Sequence, residues 1–142
     1  MQTLSSRIVK FSGYSNIGIG LLLAFVPIHP LLGFEIPWVW ALLLGGLLCY
    51  TAATLIVASS DLKRYASIMM HEAMLRFFAA VLLIGASLVS DDYGWLILLA
   101  GLSDAFWGLV YCLIVPGIAG RGIGELLLNR PLVDESTQWS RT

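Results

Sequence analysis

Charge is scarce in this chain. Of 142 residues, 8 are Lys or Arg and 9 are Asp or Glu, so charged side chains make up 12%, where an ordinary soluble domain has about 25%. No Lys or Arg occurs between Lys10 and Lys63, and none between Arg76 and Arg121. Apolar residues make up 58%. A soluble fold of this size could not hide them, because a small domain buries only about two-thirds of its surface. The net charge of −1 gives no suggestion of nucleic acid or of an acidic ligand. Only two cysteines occur, Cys49 and Cys112, both inside apolar runs. They read as small buried hydrophobes, which excludes a disulfide framework or a CxxC metal site. The sequence also lacks HExxH, a P-loop, a nucleophile elbow and a GxGxxG that follows a strand. It has no ring of carboxylates for a pair of metals. No catalytic residue, metal or cofactor is therefore expected.

What the chain does have is length of apolar run. A helix that crosses a bilayer needs roughly 20 apolar residues, and four segments qualify: residues 11–28, 37–58, 65–90 and 93–115. Pro27 and Pro30 close the first, Pro37 suits a helical first turn at the start of the second, and Pro116-Gly117 stops the fourth. The first run follows Arg7 and Lys10 as the core of a signal peptide would. It is too long for one and is followed by no small-x-small cleavage pattern, so it is expected to be retained. Within lipid the backbone must satisfy itself, which leaves helix as the state of these runs. The links are short, at residues 29–36, 59–64 and 90–94, so neighbouring helices are antiparallel. The predicted fold is an all-α integral membrane bundle of four transmembrane helices, residues 1–116, with a tail at 117–142. In that tail residues 121–129 carry Ile123 and Leu126 to Leu128 and suit a short interfacial helix, while residues after Pro131 are polar.

Orientation follows from charge. Arg7, Lys10, Lys63, Arg64, Arg121, Arg130 and Arg141 fall on one side, and the other side has only Glu35, Asp91 and Asp92. The positive-inside rule puts both termini in the cytoplasm. Trp38, Trp40, Tyr93 and Trp95 form an aromatic belt at the opposite boundary. In a bacterium this is the inner membrane with the periplasm outside.

Two halves of the chain look alike. Trp38, Leu55-Ile56-Val57 and Arg64 are matched by Trp95, Leu113-Ile114-Val115 and Arg121. Either a two-helix unit is repeated in tandem, or Leu-rich helices agree by chance.

Ionisable residues at membrane depth are costly and usually face the bundle interior. Here they are His71, Glu72, Arg76 and Asp104. Arg76 stands about eleven residues past Tyr65, roughly 16 Å along its helix, and Asp104 about as far past Tyr93 from the other side. The two meet near mid-bilayer on antiparallel neighbours. Glu72 and Arg76 are four apart in the favourable order, so Arg76 is expected to bridge Glu72 and Asp104 in a buried polar cluster with His71 one turn inside the boundary. The cluster either fixes the register of two helices or forms a functional pocket. With Asp104, Trp107 and Tyr111 continue an i, i+3, i+7 stripe, which is either bundle packing or the wall of a pocket. Gly13, Gly18, Gly20, Gly45, Gly46, Gly101 and Gly108 offer small-residue faces for close helix approach. Asn16 is expected near the cytoplasmic end, with no special role.

Three stretches carry a family resemblance. They are the Gly-rich opening from Gly13 to Pro27; the loop Ala58-Ser59-Ser60-Asp61-Leu62-Lys63-Arg64-Tyr65, with Arg76 beyond it; and Asp104-Ala105-Phe106-Trp107-Gly108-Leu109-Val110-Tyr111. Together, over roughly residues 7–116, they resemble the DoxX-like group of small four-helix membrane proteins, where an Asp-x-x-Trp segment is common in the last helix. The likeness implies that Arg76 and Asp104 are the positions to carry over. Some members of that group are linked to quinone-coupled redox complexes as membrane subunits.

Three functions follow in order. The first is a non-catalytic accessory or structural subunit of a larger membrane complex, or a homo-oligomer, with membrane lipids and other membrane subunits or its own copies as partners. The second is a protein that binds or transports a lipid, quinone or small hydrophobic solute in a pocket lined by Arg76, Asp104, Trp107 and Tyr111. The third is a redox subunit using His71, Glu72 or Asp104.

Overall fold

A computed structural model describes residues 2–25, 38–89 and 95–128. Among these residues every regular element is a helix: α1 Gln2–Phe25, α2 Trp38–Ala58, α3 Ala66–Val89, α4 Trp95–Ala119 and α5 Ile123–Leu127. The first four are long and apolar enough to cross a membrane. The expected links at 29–36 and 90–94, with Glu35, Asp91, Asp92 and Tyr93, lie outside the described residues, as does the tail after residue 128.

Two helix ends differ from expectation. The first helix begins at Gln2, not near residue 11. Arg7 and Lys10 are exposed while Val9 and Ser12 are buried, so this turn is amphipathic rather than a flank. The fourth helix runs through Pro116 to Ala119. A proline inside a helix forfeits one backbone hydrogen bond. The turn is held nonetheless, because Val115 and Ala119 on either side of it are buried in the core. Gly120 then ends the helix at φ 65°, with its N–H bonded to Pro116 O at 2.9 Å. This left-handed stop is the conformation glycine adopts without cost.

The helices pair as two antiparallel hairpins, α1 with α2 and α3 with α4. In the first, the helices close on glycine. A methyl group at Gly20 would sit 2.7 Å from Gly45 O, and one at Gly13 2.8 Å from Ile56 Cγ1. In the second, Gly101 packs on Ile84 and Gly108 on Ala73 O and the Phe77 ring. Gly18 and Gly46 depart from the expected packing role: a methyl group on either would meet nothing within 4 Å. One residue of helix turns the chain by about 100°, and these two positions face outward.

The hairpins join through a core at one end of the bundle. Val9, Leu55, Leu62, Met69, Met70, Tyr111 and Val115 meet there. This basic end carries Arg7, Lys10, Lys63, Arg64 and Arg121. The turn between α2 and α3 is built by its own polar groups. Asp61 Oδ1 accepts the Arg64 N–H at 3.1 Å, and Asp61 O accepts the Tyr65 N–H at 3.1 Å, so Leu62 drops into the core. Residues 117–128 are not a detached tail. α5 lies against α3, with Leu126 fully buried and its carbonyl accepting Ser67 Oγ at 2.6 Å. Away from the basic end, Phe25, Trp38, Leu88, Val89 and Trp95 are exposed, and the seam between the hairpins is open.

Candidate functional site

The open seam begins at the level of Arg76. A cleft of about 130 Å³ lies there, and all four long helices contribute to it: Asn16 from α1, Leu47, Leu48 and Thr51 from α2, Glu72, Leu75, Arg76 and Ala79 from α3, and Asp104 from α4. Leu47 and Leu75 are exposed, so the cleft opens sideways between α2 and α3.

Arg76 is the centre of the polar wall. It is 6% exposed. Its Nη1 donates to Asp104 Oδ1 at 2.8 Å, a charge-assisted contact between α3 and α4. Its Nε stands 3.4 Å from Glu72 Oε1, one turn back on α3, without hydrogen-bond geometry. One guanidinium thus faces two carboxylates. Its Cζ lies over the Tyr111 ring, 5.6 Å from the centroid. Tyr111 is fully buried and donates its hydroxyl to Ser12 Oγ on α1 at 2.6 Å. This bond ties the two hairpins together and seals the cluster toward the basic end.

Two buried donors stand beside the cleft. Asn16 Nδ2 has no hydrogen-bond partner among the described residues, and Arg76 Nε has only the Glu72 carboxylate, out of hydrogen-bond geometry. Burying a poorly matched donor costs about 1–3 kcal/mol.

The structure divides the predicted site. Glu72, Arg76 and Asp104 come together. His71 does not join them: it is exposed, and its Nδ1 donates to Ser67 O at 2.8 Å in its own helix. Position 71 precedes Glu72 by about 100° of helical turn, which carries it off the inner face. Trp107 and Tyr111 do not line the cleft. Trp107 leans outward against Phe11 and Phe106, at centroid distances of 6.4 and 5.6 Å. Tyr111 is the plug just described. Asn16 and Thr51 do line it, and α1 starts earlier than expected. Asn16 is about fourteen residues, roughly 21 Å, into its helix. The signal available in the sequence was an amide in an otherwise apolar run, spaced i, i+4 from Ser12.

Chemically the cleft offers hydrogen-bond donors, two carboxylates and an apolar mouth. Among the described residues no three His, Cys, Asp or Glu side chains approach as a metal site would require. Compared with models of protein families, with curated proteins and with solved structures, the chain finds no match in any of the three.

Proposed function

We propose that this chain is a non-catalytic integral membrane protein that binds a small lipid-soluble molecule by its polar head. The observation that carries the reading is one cleft that opens sideways and combines apolar residues with the polar residues Asn16, Thr51, Glu72, Arg76 and Asp104, of which Asn16 and Arg76 are hydrogen-bond donors. A carbonyl or similar acceptor suits them, and a volume of about 130 Å³ suits a head group, not a whole ligand. The tail leaves between Leu47 and Leu75 into lipid. Quinones and lipids with carbonyl heads have this form, and the resemblance of the Asp104–Tyr111 stretch to DoxX-like proteins points toward the quinone class. The bundle lies with its basic end in the cytoplasm, N-in and C-in, in a bacterial inner membrane, as the distribution of Lys and Arg supports.

The test is extraction of the intact chain in mild detergent, followed by mass spectrometry of the small molecules it retains. Wild type should hold one amphiphile in near-stoichiometric amount. Leu47→Trp, which fills the mouth, and Asn16→Leu, which removes a donor, should both lose it. Trp107→Phe, outside the cleft, should keep it. Equal content in all four proteins would end this reading.

A second reading is a subunit of a larger membrane assembly. Gly18 and Gly46, whose backbones are open to the outside, favour it, since a neighbouring helix can come close at a bare glycine. Native mass spectrometry that shows foreign chains or copies, lost in Gly18→Leu or Gly46→Leu, would support it.

A further inference from the structure

A second cavity lies away from the cleft, at the basic end. It has a volume of about 470 Å³ and sits between the start of α1 and the α2–α3 turn, with Ser6, Arg7, Lys10, Ser59, Ser60, Asp61 and Leu62 around it. Its walls are pinned by hydroxyls bonded to backbone. Ser6 Oγ donates to Ser59 O, joining α1 to the turn. Ser59 Oγ donates to Ile56 O at 2.6 Å and Ser60 Oγ to Val57 O at 2.7 Å.

The charge of this cavity is not balanced. Neither Arg7 nor Lys10 makes an ion pair among the described residues; Lys10 has only the Tyr14 ring, 5.9 Å away. The one acid in the wall, Asp61, accepts the Arg64 N–H at Oδ1 and keeps its charge, so the wall holds two cations against one carboxylate. Along α1 the residues Arg7, Lys10, Phe11 and Tyr14 follow i, i+3, i+4, i+7 and so share one face. Phe11 and Tyr14 are exposed. The face therefore runs from two cations to two aromatic rings over about 10 Å, the order of parts in a lipid from phosphate to acyl chain.

We infer that this cavity binds the phosphate head group of an anionic phospholipid, held by Arg7 and Lys10, with its chains along Phe11 and Tyr14. Zwitterionic lipids carry a cation beside the phosphate and are disfavoured by the net positive charge of the wall. A basic pocket at the cytoplasmic end of membrane helices is a known form of lipid recognition. The inference rests on the membrane placement proposed above and is independent of the cleft.

The experiment is native mass spectrometry of the full chain in mild detergent with equal phosphatidylglycerol and phosphatidylcholine. Phosphatidylglycerol adducts should dominate. Arg7→Gln and Lys10→Gln should each lower that preference about fivefold, the equivalent of roughly 1 kcal/mol per basic group near anionic lipid. Lys63→Gln and Arg64→Gln, in the same turn but outside the cavity wall, should leave it unchanged. All four side chains are exposed, and circular dichroism should show the same helix content throughout. An equal loss in both pairs would mean general attraction to basic charge and would overturn the site. Equal binding of the two lipids by wild type, or binding of neither, would overturn it as well; the membrane placement is tested apart from it, by whether the chain stays with the membrane fraction through a carbonate wash. Displacement of the lipid by excess inorganic phosphate would assign the cavity to free phosphate instead.

Discussion

The two hairpins are built on different principles. The first, α1 with α2, has no charged residue at its interface and closes by bringing backbone against backbone at Gly20 and Gly45. The second, α3 with α4, places glycine on one side only, where Gly101 and Gly108 receive Ile84 and Phe77, and adds the ion pair from Arg76 to Asp104. The difference shows what each contact can tolerate. Dispersion between close backbones has no substitute when a side chain intervenes. A charge pair accepts looser packing but cannot lose one member. Polar groups also shape the cleft, which forms where the charged hairpin faces Asn16 and Thr51 of the uncharged one.

The comparison can be broken most sharply at Arg76. Arg76→Leu strands Glu72 and Asp104 and should cost about 3–5 kcal/mol, as removal of one partner from a buried pair does. The triple change Glu72→Gln, Arg76→Leu, Asp104→Asn should recover most of this, because no charge is then left alone. Unfolding in mixed micelles with increasing dodecyl sulfate measures both. A loss below about 1 kcal/mol for the single change, at the level of an exposed pair, would show that charge does not hold the second hairpin.

Next in size is Gly45→Ala. Its methyl group would collide with Gly20 O and stand 2.9 Å from Ala24 Cβ, and overpacking of this kind costs about 1–3 kcal/mol. Gly108→Ala should cost less, since its neighbours at 3.2 Å include the edge of the Phe77 ring, which can yield. If the same unfolding assay ranks the two the other way, the hairpins do not differ in the way described.

Tyr111→Phe removes the hydrogen bond that joins the hairpins, worth about 0.5–1.5 kcal/mol. The smallest effect belongs to Gly18→Ala and Gly46→Ala, which should lie within about 0.5 kcal/mol of wild type, as surface substitutions do. A clear loss of assembly in either variant, seen by native mass, would shift weight to the subunit reading.

How much of this was legible in the residues varies with the kind of question. Depth along two antiparallel helices brings Arg76 and Asp104 to one level, and i, i+4 spacing adds Glu72. Rotation about the helix axis was not legible. The stripe Asp104, Trp107, Tyr111 looks like one surface in sequence, yet Tyr111 is buried and Trp107 turns toward Phe11. The suspected repeat dissolves for the same reason. Leu55 is 1% exposed and its counterpart Leu113 is 72%, while Val57 is 56% exposed and Val115 is 0%. Matching letters occupy opposite faces. The start of α1 was obscured because Arg7 and Lys10 look like the flank of an apolar run, whereas a long cationic side chain can point outward from a helix whose other face is buried.

The sequence by itself determined that the chain forms four long apolar helices, and that its basic groups gather at one end. Those are properties of composition along the chain, and a run of about 20 apolar residues carries them locally. Only the tertiary structure decided which side of each helix turns inward, and with it the members of the cleft. These helices are apolar almost all the way round, so they carry little amphipathic signal to set rotation. The inward faces were settled by contacts between chain segments: Gly20 against Gly45, Arg76 against Asp104, and Tyr111 against Ser12.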